Sequence, residues 1–176
     1  MNYSLMPKIA IISLVNEIDD GLRESAKIIG RQIARNNGVV VTRGCPGLEH
    51  WVALGAKEEG GLSIGFSQAS NKREHLEYKY PISPYVMFFT GPERSVQRDI
   101  MANSANAGIY FVGKSLFTND DVLGFNSNKL CGFDVTAFLI TQESNTDIIR
   151  ALEIQHRITI IENDPVRLVQ LIFKDL

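Results

Sequence analysis

The sequence predicts an α/β protein: one domain on a doubly wound, mostly parallel sheet of about seven strands, with helices on both faces. Three observations predict it. Short apolar runs alternate with amphipathic segments along the whole chain. Runs such as Lys8 to Leu14 (KIAIISL) are continuously apolar, as strands buried on both faces require. The 176 residues, 44% hydrophobic and 22% charged, suffice for one substantial core without staples.

The elements follow in order. Residues 1–7 form a tail ending at Pro7, and the domain spans 8–176. Lys8 to Leu14 is the first strand. Asn16 to Asp20 is a polar turn with acidic capping candidates, and Leu22, Ala26, Ile29 and Ile33 recur at helical spacing until Asn36-Asn37-Gly38 stops the helix. Val39 to Val41 is the second strand. A turn rich in Gly and Pro leads into a helix from Leu48 to Glu59, and Leu62 to Phe66 is the third strand. Residues 67–84 read as the longest irregular stretch, with His75 a solvated loop histidine. Tyr85 to Thr90 is the fourth strand, and Pro92-Glu93-Arg94 opens a helix to about Asn106. Gly108 to Val112 is the fifth strand, followed by a short capped helix over Phe117 to Val122 and a loop over 124–132. Val135 to Ile140 is the sixth strand, Thr146 or Asp147 caps a helix through Glu153, and Ile158 to Ile161 is the seventh strand. Asp164-Pro165 starts the last helix, with Leu168, Leu171 and Ile172 as its apolar stripe.

The formal net charge is -2 and no long basic run exists, which argues against broad attraction to nucleic acid or membrane surfaces. No apolar run reaches spanning length and the N-terminus carries no signal pattern, so a cytoplasmic location is expected. Cys45 and Cys131 make no metal-ligand spacing, no metal or cofactor is expected, and two reduced thiols are the simple reading. Cys45 in a turn before a helix could be semi-exposed and tend toward thiolate, but no general base stands beside it.

One stretch carries the chemistry: VVVTRGCPGLEHW, a β-branched strand, a glycine turn and a helix start. Helix N-termini present unpaired N–H groups and partial positive charge, and glycine lets an anion approach the backbone. Arg43, Gly44, Cys45, Pro46 and Gly47 are therefore candidate phosphate-binding residues; an ordinary βα turn is the alternative.

From about Lys8 to the Asp164-Pro165 helix, the chain resembles the Lonely Guy type of Rossmann-like proteins, a group often labelled "possible lysine decarboxylase". That group is related to the DNA-processing protein A family and to molybdenum-cofactor carrier proteins. VVVTRGCPGLEHWVALGAKEEGGLSIGF resembles the group's strand, GGGxxGLM turn and Ala-rich helix. FFTGPERSVQRDIM resembles the segment that carries an Arg before a helix, and MANSANAGIYFVGKSLFTNDDVL aligns with the segment ending in PGGxGTxxE.

The resemblance implies a site for a nucleotide or other phosphorylated small molecule, and homodimerisation, with Trp51, Val52 and Met101 as interface candidates that core burial explains equally well. It adds Gly91, Arg94, Gly113, Lys114 and Ser115 to the phosphate-binding set. Enzymes of the group cleave the N-glycosidic bond of nucleoside monophosphates, which would fall to Asp120 and Arg98 here. The departures weigh against turnover. Thr42 and Arg43 replace two glycines, Leu116 and Phe117 remove a glycine and a hydroxyl, Asp120 is one carbon shorter than the expected Glu, and the Arg position falls on Gln97. Asp120 reads equally as a helix cap, Arg94 and Arg98 as a solvated helix face, and Lys114 as a turn lysine. Lysine decarboxylation lacks any context for a Schiff-base lysine. Expected is a nucleotide-binding protein with a degenerate catalytic motif; a working phosphoribohydrolase is the alternative, and single-stranded DNA binding a weaker third.

Overall fold

A computed structural model describes residues 6–15, 17–112, 133, 135–140 and 159–176. Seven strands form one sheet in the order β4-β3-β2-β1-β5-β6-β7. They are β1 (Lys8–Leu14), β2 (Val39–Thr42), β3 (Leu62–Ser67), β4 (Val86–Phe89), β5 (Ala107–Val112), β6 (Val135–Ile140) and β7 (Thr159–Glu162). Every neighbouring pair is parallel. The described helices are α1 (Asp20–Arg35), α2 (Leu48–Glu58), α3 (Lys72–Glu77), α4 (Arg94–Ser104) and α5 (Pro165–Asp175). The architecture is the predicted doubly wound one.

Period-two alternation divides the strands between two cores. Ile9, Ile11, Ile109 and Phe111 face α1, α2 and α5, whose Ile29, Ile33, Val52, Leu168 and Ile172 complete the larger core. Ala10, Ile12, Tyr110 and Val112 face the other way and meet Met101 at the end of α4. Buried apolar residues on both sides explain why these strands read as unbroken hydrophobic runs.

The expected punctuation is present. Asp19 caps α1 by accepting from the Leu22 N–H at 2.7 Å, and the Gly38 N–H closes the far end on Ile33 O at 2.8 Å. Asp164 caps α5 through Val166 and Arg167, with Pro165 in the first turn.

Two expectations are corrected and one open alternative is decided. Residues 67–84 are not a continuous loop, because Asn71 accepts from the Glu74 N–H at 3.0 Å and caps α3. His75 on α3 is buried rather than solvated. Its Nε2 lies 3.3 Å from Pro81 O, which can only accept, so Nε2 carries the proton and Nδ1 accepts from the Ser67 hydroxyl at 2.8 Å. Val52 and Met101 are core residues, unavailable to an interface, and Trp51 packs partly buried beneath Arg23 and Lys27. The readings made on Asn16, on residues 113–132 and on the helix from Thr146 or Asp147 lie outside the described residues.

The α1–α2 contact depends on two glycines. A Cβ on Gly30 would sit 2.0 Å from Val52 O, and one on Gly55 would sit 2.2 Å from Lys27 O. Backbone-to-backbone approach at this distance admits no side chain. Along the outer rim Lys27 and Arg31 pair with Glu58, and Arg35 pairs with Glu59. Such half-exposed pairs align the helices more than they stabilise them.

Gly55→Ala therefore forces α1 and α2 apart and is expected to cost about 3 kcal/mol, read as a lowered urea midpoint. Lys27→Ala, which removes a rim pair and one of the two cations over Trp51, is expected to cost about 1 kcal/mol in the same measurement.

Candidate functional site

Parallel strands all end on one edge of the sheet, and ligands of doubly wound folds sit there, near the point where strand order reverses. In this order the reversal falls between β1 and β5, with the β2–α2 turn immediately beside it. Arg43 to Gly47 occupy that turn. Gly44 has φ 61 and Gly47 φ 113, a backbone region that side chains disfavour. A Cβ on Gly44 would also meet Met87 Cε at 2.7 Å. Gly47 stands at the N-cap of α2 and supplies no side-chain cap, which leaves the helix start without one.

The turn is built around a residue not foreseen from sequence, Glu49. Its side chain is 1% exposed in the first turn of α2. Oε2 accepts from the Arg43 backbone N–H at 2.9 Å, and Oε1 accepts from Arg43 Nε at 2.8 Å and from Nη2. The Cys45 thiol points at the same carboxylate, 3.7 Å away. The positive end of α2 and the guanidinium together compensate the buried charge. Arg43 stays protonated, held so by Glu49 against its own burial. Arg43 is 34% exposed and already uses two side-chain donors on Glu49, so as a candidate phosphate ligand it has its remaining donors to offer.

Cys45 is also corrected. Burial first, and the neighbouring Glu49 charge second, push its thiol up to about 12, with Arg43 opposing. The helix-start effect that would favour thiolate is outweighed. His50, one residue beyond Glu49, is held neutral by burial, and its Nδ1 has no hydrogen-bond partner.

Gln97 is the second brace. It is 2% exposed, donates from Nε2 to Arg43 O at 3.1 Å and to Phe66 O, and accepts from Gln68 Nε2 at 3.0 Å. One amide thus ties the turn, the end of β3 and α4 together. This is the position at which the resembling group carries Arg, and here its polar atoms are consumed by two backbone carbonyls and the Gln68 side chain. Gly91, with φ 83 and open space around it, follows the edge strand β4, two strands away from β2. Arg94 and Arg98 belong to α4, but their side chains are not among the described ones. Gly113, Lys114, Ser115 and Asp120 lie outside the described residues. The structure therefore gathers Arg43, Gly44, Cys45 and Gly47 with Glu49 and Gln97, and keeps Gly91 apart. A sequence signal for Glu49 did exist: an acid in the first turn of a helix, one tight turn after an Arg.

Among the described residues no group of three His, Cys, Asp or Glu could hold a metal, and no helix is long and apolar enough to cross a membrane.

Sheet order and turn geometry define the class as a Rossmann-like α/β protein with its candidate site on the carboxyl edge. The chain belongs to the SLOG cluster4 family, whose profile matches residues 6–165. No curated protein matches it. Among solved structures it is similar to the molybdenum cofactor binding protein from Rippkaea orientalis, at TM-score 0.73 and 19% identity over 96% of each chain. It is also similar to the molybdenum cofactor carrier protein from Chlamydomonas reinhardtii, at TM-score 0.70 and 20% identity over 96% of this chain and 98% of that one. DNA processing protein A from Helicobacter pylori, whose structure concerns single-stranded DNA binding, matches at TM-score 0.66 and 14% identity, over 98% and 83%. At these identities the likeness is one of fold.

Glu49→Ala strands Arg43 and is expected to cost about 2 kcal/mol in chemical denaturation, toward the low side of a broken buried pair because Arg43 reaches solvent. Cys45 in the folded chain keeps its proton up to about 12, against an ordinary 9.0, so its contribution to stability is complete below pH 9.0 and is lost as pH rises toward 12. In a Cys131→Ser background, Cys45 is expected to react slowly with a thiol reagent at neutral pH. Glu49→Gln removes the neighbouring negative charge, lowers the thiol pKa and is expected to raise that rate about tenfold.

Proposed function

We propose that the chain is a nucleotide- or nucleotide-derivative-binding protein that holds a phosphate at the Gly44–Gly47 turn and has lost turnover. The observation that carries this reading is the turn itself. Two positive-φ glycines and a helix start without a side-chain cap stand beside the reversal of strand order. Glu49 and Gln97 brace that conformation, and the Arg43 and Gly44 N–H groups are spent on Glu49 and Thr42 Oγ1, which leaves the N–H groups at the start of α2 as the ones pre-organised for a ligand. Arg43 contributes through the donors that Glu49 does not use. Gly91, Arg94, Gly113, Lys114 and Ser115 belong to the proposed set through the resemblance, with Lys114 as a point-charge contact.

Binding is favoured over phosphoribohydrolysis because Gln97 stands at the Arg position and its amide is committed to Arg43 O and Phe66 O. An arginine there would have supplied a fixed cation to orient a carboxylate and stabilise developing charge. Asp120 and Arg98 remain the pair on which hydrolysis would depend. The relatives' cargo widens the ligand class to phosphorylated cofactors such as the molybdenum cofactor, as distinct from nucleic acid, which the net charge of -2 disfavours. A cytoplasmic location and self-association complete the reading.

Thermal unfolding with and without nucleoside monophosphates tests it. Saturating ligand is expected to raise the midpoint by several degrees, following about 2.7 kcal/mol of stabilisation at a hundredfold excess over Kd. Gly47→Ala, which strains the turn but meets no atom closer than Ile18 Cδ1 at 3.8 Å, is expected to keep the fold and abolish the shift. Release of free base that disappears in Asp120→Asn would instead establish the hydrolase, and absence of any shift with the whole nucleotide panel counts against the nucleotide reading.

A further inference from the structure

The sheet ends on β4, and that edge is apolar and open. Tyr85, immediately before the strand, is 75% exposed and Phe88 51%, while Val86 and Phe89 are 41% and 36% exposed. Register pairs Val86 with Ile64 and Phe88 with Phe66, so these two side chains stand on the face that α4 covers. Phe88 stacks on Phe66 at 5.5 Å.

α4 extends the same surface. Gln97 and Met101 are its buried residues, and Val96 and Ile100 each precede one of them by a single position, about 100° around the helix. The crossover from β4 through α4 to β5 is of the right-handed kind that parallel strands require. In that geometry the rotation turns Val96 and Ile100 toward β4. Both are more than a third exposed. The edge strand and the flank of the helix thus form one apolar strip.

Backbone hydrogen bonding leaves this edge unfinished. The Thr90 N–H donates to Ser67 O at 2.8 Å. Strand backbone groups alternate sides, so Phe88 and Val86 also face β3, and Met87 and Phe89 turn their N–H and C=O outward. No described strand lies beyond them. From Ile82 to Thr90 there is no charged residue, whereas open edges ordinarily carry charge that prevents pairing.

We propose that this edge is a two-fold interface with a second copy of the chain. The two β4 strands pair antiparallel, and the α4 flanks close over the seam. The β4 part of the strip carries no charge and so faces its own copy without like-charge cost, while on α4 Asp99 stands exposed beside Ile100 at the rim. Two-fold pairing engages Met87 and Phe89 of both copies and closes at two, leaving no edge to propagate. The six exposed residues offer on the order of 500 Å² of apolar surface per copy. With a polar rim that approaches the ~800 Å² per partner of a stable interface. The assignment deepens the self-association part of the proposed function and is independent of ligand binding.

Sedimentation velocity on the full chain at micromolar concentration tests it. A dimer is expected. Phe88→Lys and Ile100→Lys are each expected to weaken it by about a hundredfold or more, while circular dichroism and cooperative melting persist. Val96→Lys, on the helix flank, repeats the test if Phe88→Lys loses its fold. Arg73→Glu, on the outer surface of α3, is expected to leave the dimer intact. A dimer that survives Ile100→Lys and Val96→Lys overturns this interface but leaves self-association standing. A monomeric wild type overturns both.

Discussion

A carboxylate taken out of water must be repaid in full by the groups around it, and Glu49 imposes that requirement on the carboxyl edge of the sheet. The repayment comes from the Arg43 backbone N–H, the Arg43 guanidinium and the first turn of α2. Each of these is available only if the chain leaves β2 in one conformation and re-enters a helix within five residues. The positive φ angles of Gly44 and Gly47 are the backbone consequence. Burial first, and the same carboxylate second, keep Cys45 protonated, and the carboxylate keeps Arg43 committed, so it contributes to the reactivity of the turn as well as its shape.

Gln97 and the α1–α2 glycines extend this constraint into the scaffold. Gln97 donates to the carbonyl oxygens of Arg43 and Phe66 at the ends of β2 and β3. Gly30 and Gly55 let α2 lie close against α1, which positions its N-terminus relative to the sheet. The turn is therefore tied to α4 through Gln97, and α2, which follows it, is held in place by α1. A site pre-organised in this way loses little entropy on binding. The groups that form the turn are committed: Cys45 is protonated, Arg43 is paired, and Gln97 is satisfied, while the unpartnered His50 Nδ1 is buried on the helix beyond it. That balance is the physical reason for favouring binding over turnover.

The two ends of the sheet's left half differ sharply. At the carboxyl edge, polar groups are matched almost one to one. At β4, apolar side chains and unpaired backbone groups face outward without charge to protect them. Polar matching favours a small ligand, and an unprotected edge favours another strand. Placing the two surfaces about two strands apart leaves room for both.

The fold was legible in the sequence because burial on both faces writes itself as continuous apolar runs, and KIAIISL, VVV, GIYFV and VTAFLI each became strands at or within a residue of the expected bounds. Caps at Asp19 and Asp164, and the glycine turn at Gly44–Gly47, followed from local chemistry alone. Local chemistry says nothing about which distant atoms a side chain meets. His75 looked solvated in a polar stretch and is buried because Ser67 and Pro81 O bracket its ring. Val52 and Met101 read equally as interface or core residues, and the packing makes them core. The pairing of Arg43 was not legible, because it depends on the turn folding Glu49 back beneath it. Sequence by itself determined the element types and their alternation, since these depend on periodicity along the chain. Tertiary structure alone decided charge pairing, burial of the polar residues and exposure of the β4 edge, since these depend on contacts between segments that periodicity does not encode.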